Sequence, residues 1–103
     1  MIKVSVLYPN RADTKFDLTY YLSHHIPMVQ RLLGSALKGV SVEHGISGGG
    51  PGSSAPYVTT GHLLFDSVQE YQRSFGEHGA EIMADIPKYT NSSPVLQIGE
   101  VKL

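Results

Sequence analysis

The segment Tyr20-Tyr21-Leu22-Ser23-His24-His25-Ile26-Pro27-Met28 gathers groups that can move protons. Side chains three and four apart share one face of a helix, so a phenol ring can lie beside an imidazole one turn further on. Neutral imidazole takes or gives a proton near pH 7. Pro27 removes a backbone donor and clashes with the preceding turn, so the helix must break, kink or restart near Ile26. An imidazole at such a break is a candidate general base or acid.

The two histidines are not equivalent. His25 falls with Tyr21 and Met28 on the apolar side of the helix, whereas His24 faces solvent. The functional reading makes His25 a base or acid at a pocket mouth, with Tyr21 as its hydrogen-bond partner. The structural reading makes it a buried histidine satisfying backbone groups freed by Pro27, and the residue types weigh equally for both. His62 sits mid-strand among apolar neighbours, where an unpartnered imidazole costs about 1–3 kcal/mol. It is expected either to line the pocket with His25 and Tyr21 or to bond across a subunit interface. Asp85 can orient a histidine or cap a turn. Tyr89 is placed at one end of the pocket, and Met28 and Phe65 complete the expected substrate-binding set. His44 is expected at the surface and His78 at a helix end.

Other chemistries find less support. Adjacent His24 and His25 point about 100° apart on a helix and cannot easily chelate one ion. No His-x-x-x-His pair occurs, so no designed metal site is expected. Ligation of haem by a single histidine has no specific sequence support. Gly48-Gly49-Gly50-Pro51-Gly52 lacks the lysine and the strand-to-helix placement of a phosphate loop. Asp66-Ser67 is better read as a helix start than as a nucleophile pair.

Alternating apolar residues from Ile2 to Tyr8 predict a strand stopped by Pro9-Asn10. Asp17 is a good N-cap for a helix running through Leu33, with Gly34 after it. Residues 37–44 and 57–65 read as a second and a third strand around a glycine-rich hairpin loop, 45–56. Asp66 is assigned as the N-cap of a second helix ending near Phe75. The segment 76–90 reads as irregular, with one helical turn at 80–84, before a last strand at 95–101. The order strand, helix, strand, strand, helix, strand predicts a ferredoxin-like α+β sandwich, a four-stranded antiparallel sheet with both helices on one face. The last two strands carry apolar residues on both faces, and one helical layer covers only one. A second copy packing sheet to sheet is therefore expected to cover the other.

The whole chain, 103 residues, fits one domain. Charged residues are 17% and the net charge is −1, with no basic block, which argues against nucleic acid as a partner. The absence of cysteine excludes disulfides and thiolate chemistry and fits a reducing cytoplasm. No apolar stretch approaches a membrane span.

Several segments in order resemble the EthD family of the dimeric α+β barrel superfamily. They are Tyr20-Tyr21 with His25-Ile26-Pro27-Met28, Gly61-His62-Leu63-Leu64-Phe65-Asp66-Ser67, the run from Ala80 to Pro87 with Lys88-Tyr89-Thr90, and the ending from Pro94 to Val101. The family pattern singles out the histidine two before the proline, here His25. The resemblance implies two ferredoxin-like protomers whose sheets form a barrel, each with a pocket between sheet and helices. It implies no single reaction, since relatives include cofactor-free monooxygenases, cyclases, decarboxylases, isomerases and haem-degrading enzymes. The expected role is a cofactor-independent enzyme for a hydrophobic small molecule. The alternatives are a non-catalytic ligand-binding or accessory protein of an oxidoreductase system, and haem-linked oxidation.

Overall fold

A computed structural model describes all residues, Met1–Leu103. Strand β1 (Ile2–Pro9) lies at the centre of a sheet of order β2-β3-β1-β4, with β2 at Gly39–His44, β3 at Tyr57–Phe65 and β4 at Val95–Glu100. Every neighbouring pair is antiparallel. The order and the helical layer are those of the ferredoxin-like sandwich that the alternation of elements predicts. β2 and β3 form a hairpin, and residues 45–56 are its loop.

Register decides which side chains meet the helices. Val4 pairs with Leu63 and with Ile98, and Ile2 with Phe65, so these residues share the helix-covered face. Ser5 pairs with His62, and Lys3 with Leu64, on the opposite face. The main core joins Ile2, Val4, Leu63 and Phe65 of the sheet to Val29, Leu33 and Ile82 of the helices.

The first helix is written in three pieces: α1 (Leu18–Tyr20), a π-helical turn (Tyr21–His25) and α2 (Ile26–Leu33). The Asp17 carboxylate accepts from the Tyr20 N–H at 3.0 Å, which caps the start. The break expected at Ile26 takes the form of the π-turn, in which the Ile26 N–H bonds to Tyr21 O. Pro27 has no N–H to give to the carbonyl one turn back, so the ladder is already interrupted there. Gly34 closes α2 at φ +56°, a conformation that glycine adopts without strain.

The second helix departs from expectation. α3 is continuous over Val68–Ala84, through Gly76 and Gly79, and its N-cap is Ser67 rather than Asp66. Ser67 Oγ accepts from the Glu70 N–H at 3.1 Å. Glycine inside a helix costs about 1 kcal/mol relative to alanine. Packing overrides it here: Ile82 is buried in the core, and the Phe75 ring folds over Gly79, where a Cβ would lie 2.7 Å from it. His78 is accordingly inside the helix, not at its end. No helix is long and apolar enough to cross a membrane.

Candidate functional site

His25 is 4% exposed, and its Nδ1 lies 2.9 Å from Asp85 Oδ2. Asp85 caps the end of α3 and reaches back to the π-turn sixty residues earlier in the chain. Its other oxygen, Oδ1, accepts from the Tyr20 hydroxyl at 2.9 Å, and Lys88 Nζ stands 3.7 Å from that oxygen. A carboxylate only accepts, so neutral His25 carries its proton on Nδ1 and turns the Nε2 lone pair outward. Both sequence readings of Asp85 describe its contacts: its side chain orients His25, and its backbone closes the turns at the end of α3.

The remaining neighbours are aromatic. Tyr89 Oη is 3.4 Å from His25 Nε2 and 2.6 Å from Tyr8 Oη. Tyr21 stacks on His25, with centroids 5.4 Å apart and planes 15° apart. It was expected as a hydrogen-bond partner and is instead a stacking partner, because the π-turn sets the two rings face to face. Phe16 packs edge-on against Tyr8 at 5.1 Å and Tyr89 at 5.3 Å. Such pairs contribute about 0.5–1.5 kcal/mol each beyond their buried area. Tyr89 is fixed through its backbone, since its carbonyl accepts from the Asp17 N–H at 2.7 Å and Thr90 bridges to Phe16.

Electrostatics follow from this geometry. Burial lowers the His25 pKa, against the pull of Asp85. Burial alone would raise that of Asp85, but hydrogen bonds from His25 and Tyr20 and the charges of His25 and Lys88 hold it below the usual carboxylate range. Burial pushes the phenols of Tyr8, Tyr21 and Tyr89 up, and neighbouring phenols push Tyr21 and Tyr89 further. At neutral pH the site is a carboxylate, a neutral imidazole and three protonated phenols.

Part of this cluster borders an apolar cavity between the sheet and the helices. His25, Tyr21 and Tyr8 line it together with Val6, Leu63, Ile82, Met83 and Leu96. Its volume, ≈ 40 Å³, suits about three waters at roughly 10–15 Å³ each. It is apolar with convergent polar groups, but narrow.

The expected site residues separate into two sets. His25, Tyr21, Asp85 and Tyr89 come together, but Asp85 and Tyr89, expected to bind substrate, do not line the cavity. His62 does not join them: it is on the opposite sheet face, with Nδ1 3.1 Å from Ser5 Oγ and Nε2 3.2 Å from Thr60 Oγ1. Phe65 is wholly buried in the main core, and Met28 packs against that core, so neither lines the cavity. His24 is exposed and stacks on Tyr20 at 4.8 Å. Tyr8 is the member that sequence reasoning missed. Its one signal was its phase, since it continues the inward positions Ile2, Val4 and Val6 as a tyrosine at the strand's end. No group of three metal-ligating side chains is present.

A family model described as the EthD domain matches residues 11–93. An EthD-like protein from Ralstonia eutropha JMP134 is similar over 99% of this chain and 92% of its own, at 41% identity and a TM-score of 0.95. An EthD family protein from Bacillus halodurans C-125 shares the fold at 20% identity and a TM-score of 0.75, covering 99% of each chain. A dimeric protein of ferredoxin-like fold from Bacteroides fragilis aligns at 16% identity and a TM-score of 0.56, over 97% of this chain and 95% of its own. No curated protein matches.

Proposed function

The chain belongs to the EthD family, and on that premise we propose that it is a homodimeric, cofactor-independent acid–base enzyme for a small hydrophobic molecule. The observation that carries this reading is the buried Asp85–His25 pair, 2.9 Å apart, at the wall of an apolar cavity. Asp85 fixes the tautomer and stabilises the imidazolium that forms when Nε2 takes a proton. The hydrophobic walls favour an apolar molecule over a charged one. Proton removal of this kind contributes about 10²–10⁴-fold and opens isomerisations, cyclisations and decarboxylations. The dimer belongs to the same reading. His62, with Ser5 and Thr60, stands on the sheet face assigned to the partner, so its role there is at the interface.

The test is deuterium uptake at the nitro-bearing carbon of nitroethane, a carbon acid small enough for a narrow site. Wild-type protein should accelerate the uptake over buffer, and His25→Gln should lose on the order of 10²-fold or more of that acceleration. Equal rates for the two proteins would sink the catalytic reading. The narrowness of the cavity favours the second reading, a ligand-binding or accessory protein, and that outcome would leave it standing.

A further inference from the structure

The hydrogen bonds beside the cavity have a direction. His25 Nδ1 donates to Asp85, so Nε2 can only accept. The hydrogen-bond partner of Nε2 is Tyr89 Oη, which must then donate to it. Tyr8 Oη, 2.6 Å further on, donates in turn to Tyr89 Oη. Tyr8 and His25 both line the cavity and Tyr89 does not, so the chain leaves the wall at Tyr8 and returns to it at the imidazole through Tyr89. The His25 lone pair is committed to Tyr89 rather than to the cavity.

We propose that Tyr8 and Tyr89 form a two-phenol proton relay, through which His25 acts on a molecule in the cavity. The proposal rests on the acid–base reading given above. Tyr8 is the group that touches the substrate, and Tyr89 connects it to the base. In the step, the bond from a substrate carbon or oxygen to its proton breaks, and that proton bonds to Tyr8 Oη. The Tyr8 proton passes to Tyr89 Oη, and the Tyr89 proton passes to His25 Nε2. The electron pair stays on the substrate, both phenols end neutral, and one imidazolium stands beside the Asp85 carboxylate. The transfers must be concerted, because burial makes a phenolate at Tyr8 or Tyr89 unfavourable. The 3.4 Å link from Tyr89 to Nε2 is long for a hydrogen bond. Catalytic hydrogen bonds are commonly long in the unliganded state and tighten when the site fills.

Nitrogen NMR of the imidazole tests the chain without any substrate. At alkaline pH, where His25 is neutral, the wild type should show the proton on Nδ1 and an Nε2 resonance shifted by an accepted hydrogen bond. Tyr89→Phe should return that resonance to the position of an unbonded nitrogen. Tyr8→Phe should move it the same way by less, since a phenol that accepts a hydrogen bond is a better donor. A proton found on Nε2, or an Nε2 resonance indifferent to Tyr89→Phe, overturns the relay. The nitroethane assay supplies the second arm. Tyr8→Phe and Tyr89→Phe should each lose on the order of 10²-fold, as His25→Gln does. If His25→Gln loses activity while Tyr8→Phe keeps the wild-type rate, His25 acts directly: the relay is wrong and the acid–base reading survives. Near-ultraviolet circular dichroism shows whether either phenylalanine variant keeps its packing, and the NMR result on the wild type stands independently of both.

Discussion

At the scale of single residues, the Asp85–His25 pair couples the site to stability. The native His25 pKa lies below the ordinary 6.5, and that of Asp85 below the ordinary 3.8. Both native groups therefore bind protons less readily than their unfolded counterparts. The unfolded chain gains protons first as pH falls, so acid must destabilise the fold. The His25 contribution is complete above 6.5 and is lost as pH drops through its native value. The Asp85 contribution is complete above 3.8 and is lost lower down. Urea midpoints measured against pH should fall in two stages, and His25→Gln should remove the upper one. A midpoint that stays level between those two ordinary values would contradict the assignment. Asp85→Ala should cost about 1.5–3 kcal/mol, because the His25 N–H and the Tyr20 hydroxyl lose a charged acceptor together. The apolar stripe of the first helix and the family pattern singled out His25, with Tyr21 one turn before it; spacing alone fits Tyr20 and His24 equally. It could not join His25 to Asp85, sixty positions away, or to Tyr8, which reaches the site through the sheet. Those contacts are made by topology and leave no local pattern.

At the scale of elements, the site depends on a strand that carries none of its titratable groups. Gly61 of β3 lies beneath the π-turn, and a Cβ there would collide with Tyr21 Oη while the ring carbon bearing that oxygen would be 3.7 Å away. The collision is therefore with the oxygen alone. Gly61→Ala should destabilise by about 1–3 kcal/mol through overpacking. Combining it with Tyr21→Phe should recover most of that loss, because the remaining contact is an ordinary one. A double-mutant cycle by urea denaturation measures the coupling, and purely additive losses would mean that Gly61 and Tyr21 do not meet in this way. Element order and strand alternation were legible, and with them the sandwich. The extent of α3 was not. Gly76 and Gly79 lower helix propensity over the stretch where Phe75 and Ile82 pack, and a sequence scan sees the glycines before it sees the packing. Ser67-x-x-Glu70 was the available start signal, and Asp66 masked it by being an equally good cap type one residue earlier. The π-turn was legible only as a break, since proline reports the missing donor but not the way the ladder closes around it.

At the scale of the molecule, β4 is the least finished part. It is an edge strand, and Val95 (51% exposed), Leu96 (42%) and Ile98 (44%) leave apolar surface open on both of its faces. Val101, just beyond it, is 40% exposed. An unpaired apolar edge invites association, and soluble folds usually blunt it with charge, proline or a cover. Glu100 and Lys102 supply charge only at its far end, where they pair with each other. The sheet face away from the helices continues this surface through Leu7 and Leu64. A second copy laid sheet to sheet would cover that face, and a stable interface needs about 1,200–2,000 Å² in total. Sedimentation should therefore give twice the 11.2 kDa chain mass. Leu64→Lys sets a second ammonium directly opposite Lys3, and Val95→Lys puts one beside Leu7 where a second copy would bury it, so each should shift a dimer toward monomer. Neither residue lines the His25 cavity. If monomers keep the nitroethane activity, the site is complete within one protomer. If activity falls with the dimer, the site depends on the partner. A wild type that sediments as a monomer at all concentrations would leave the exposed β4 surface to some other cover and end the dimer reading.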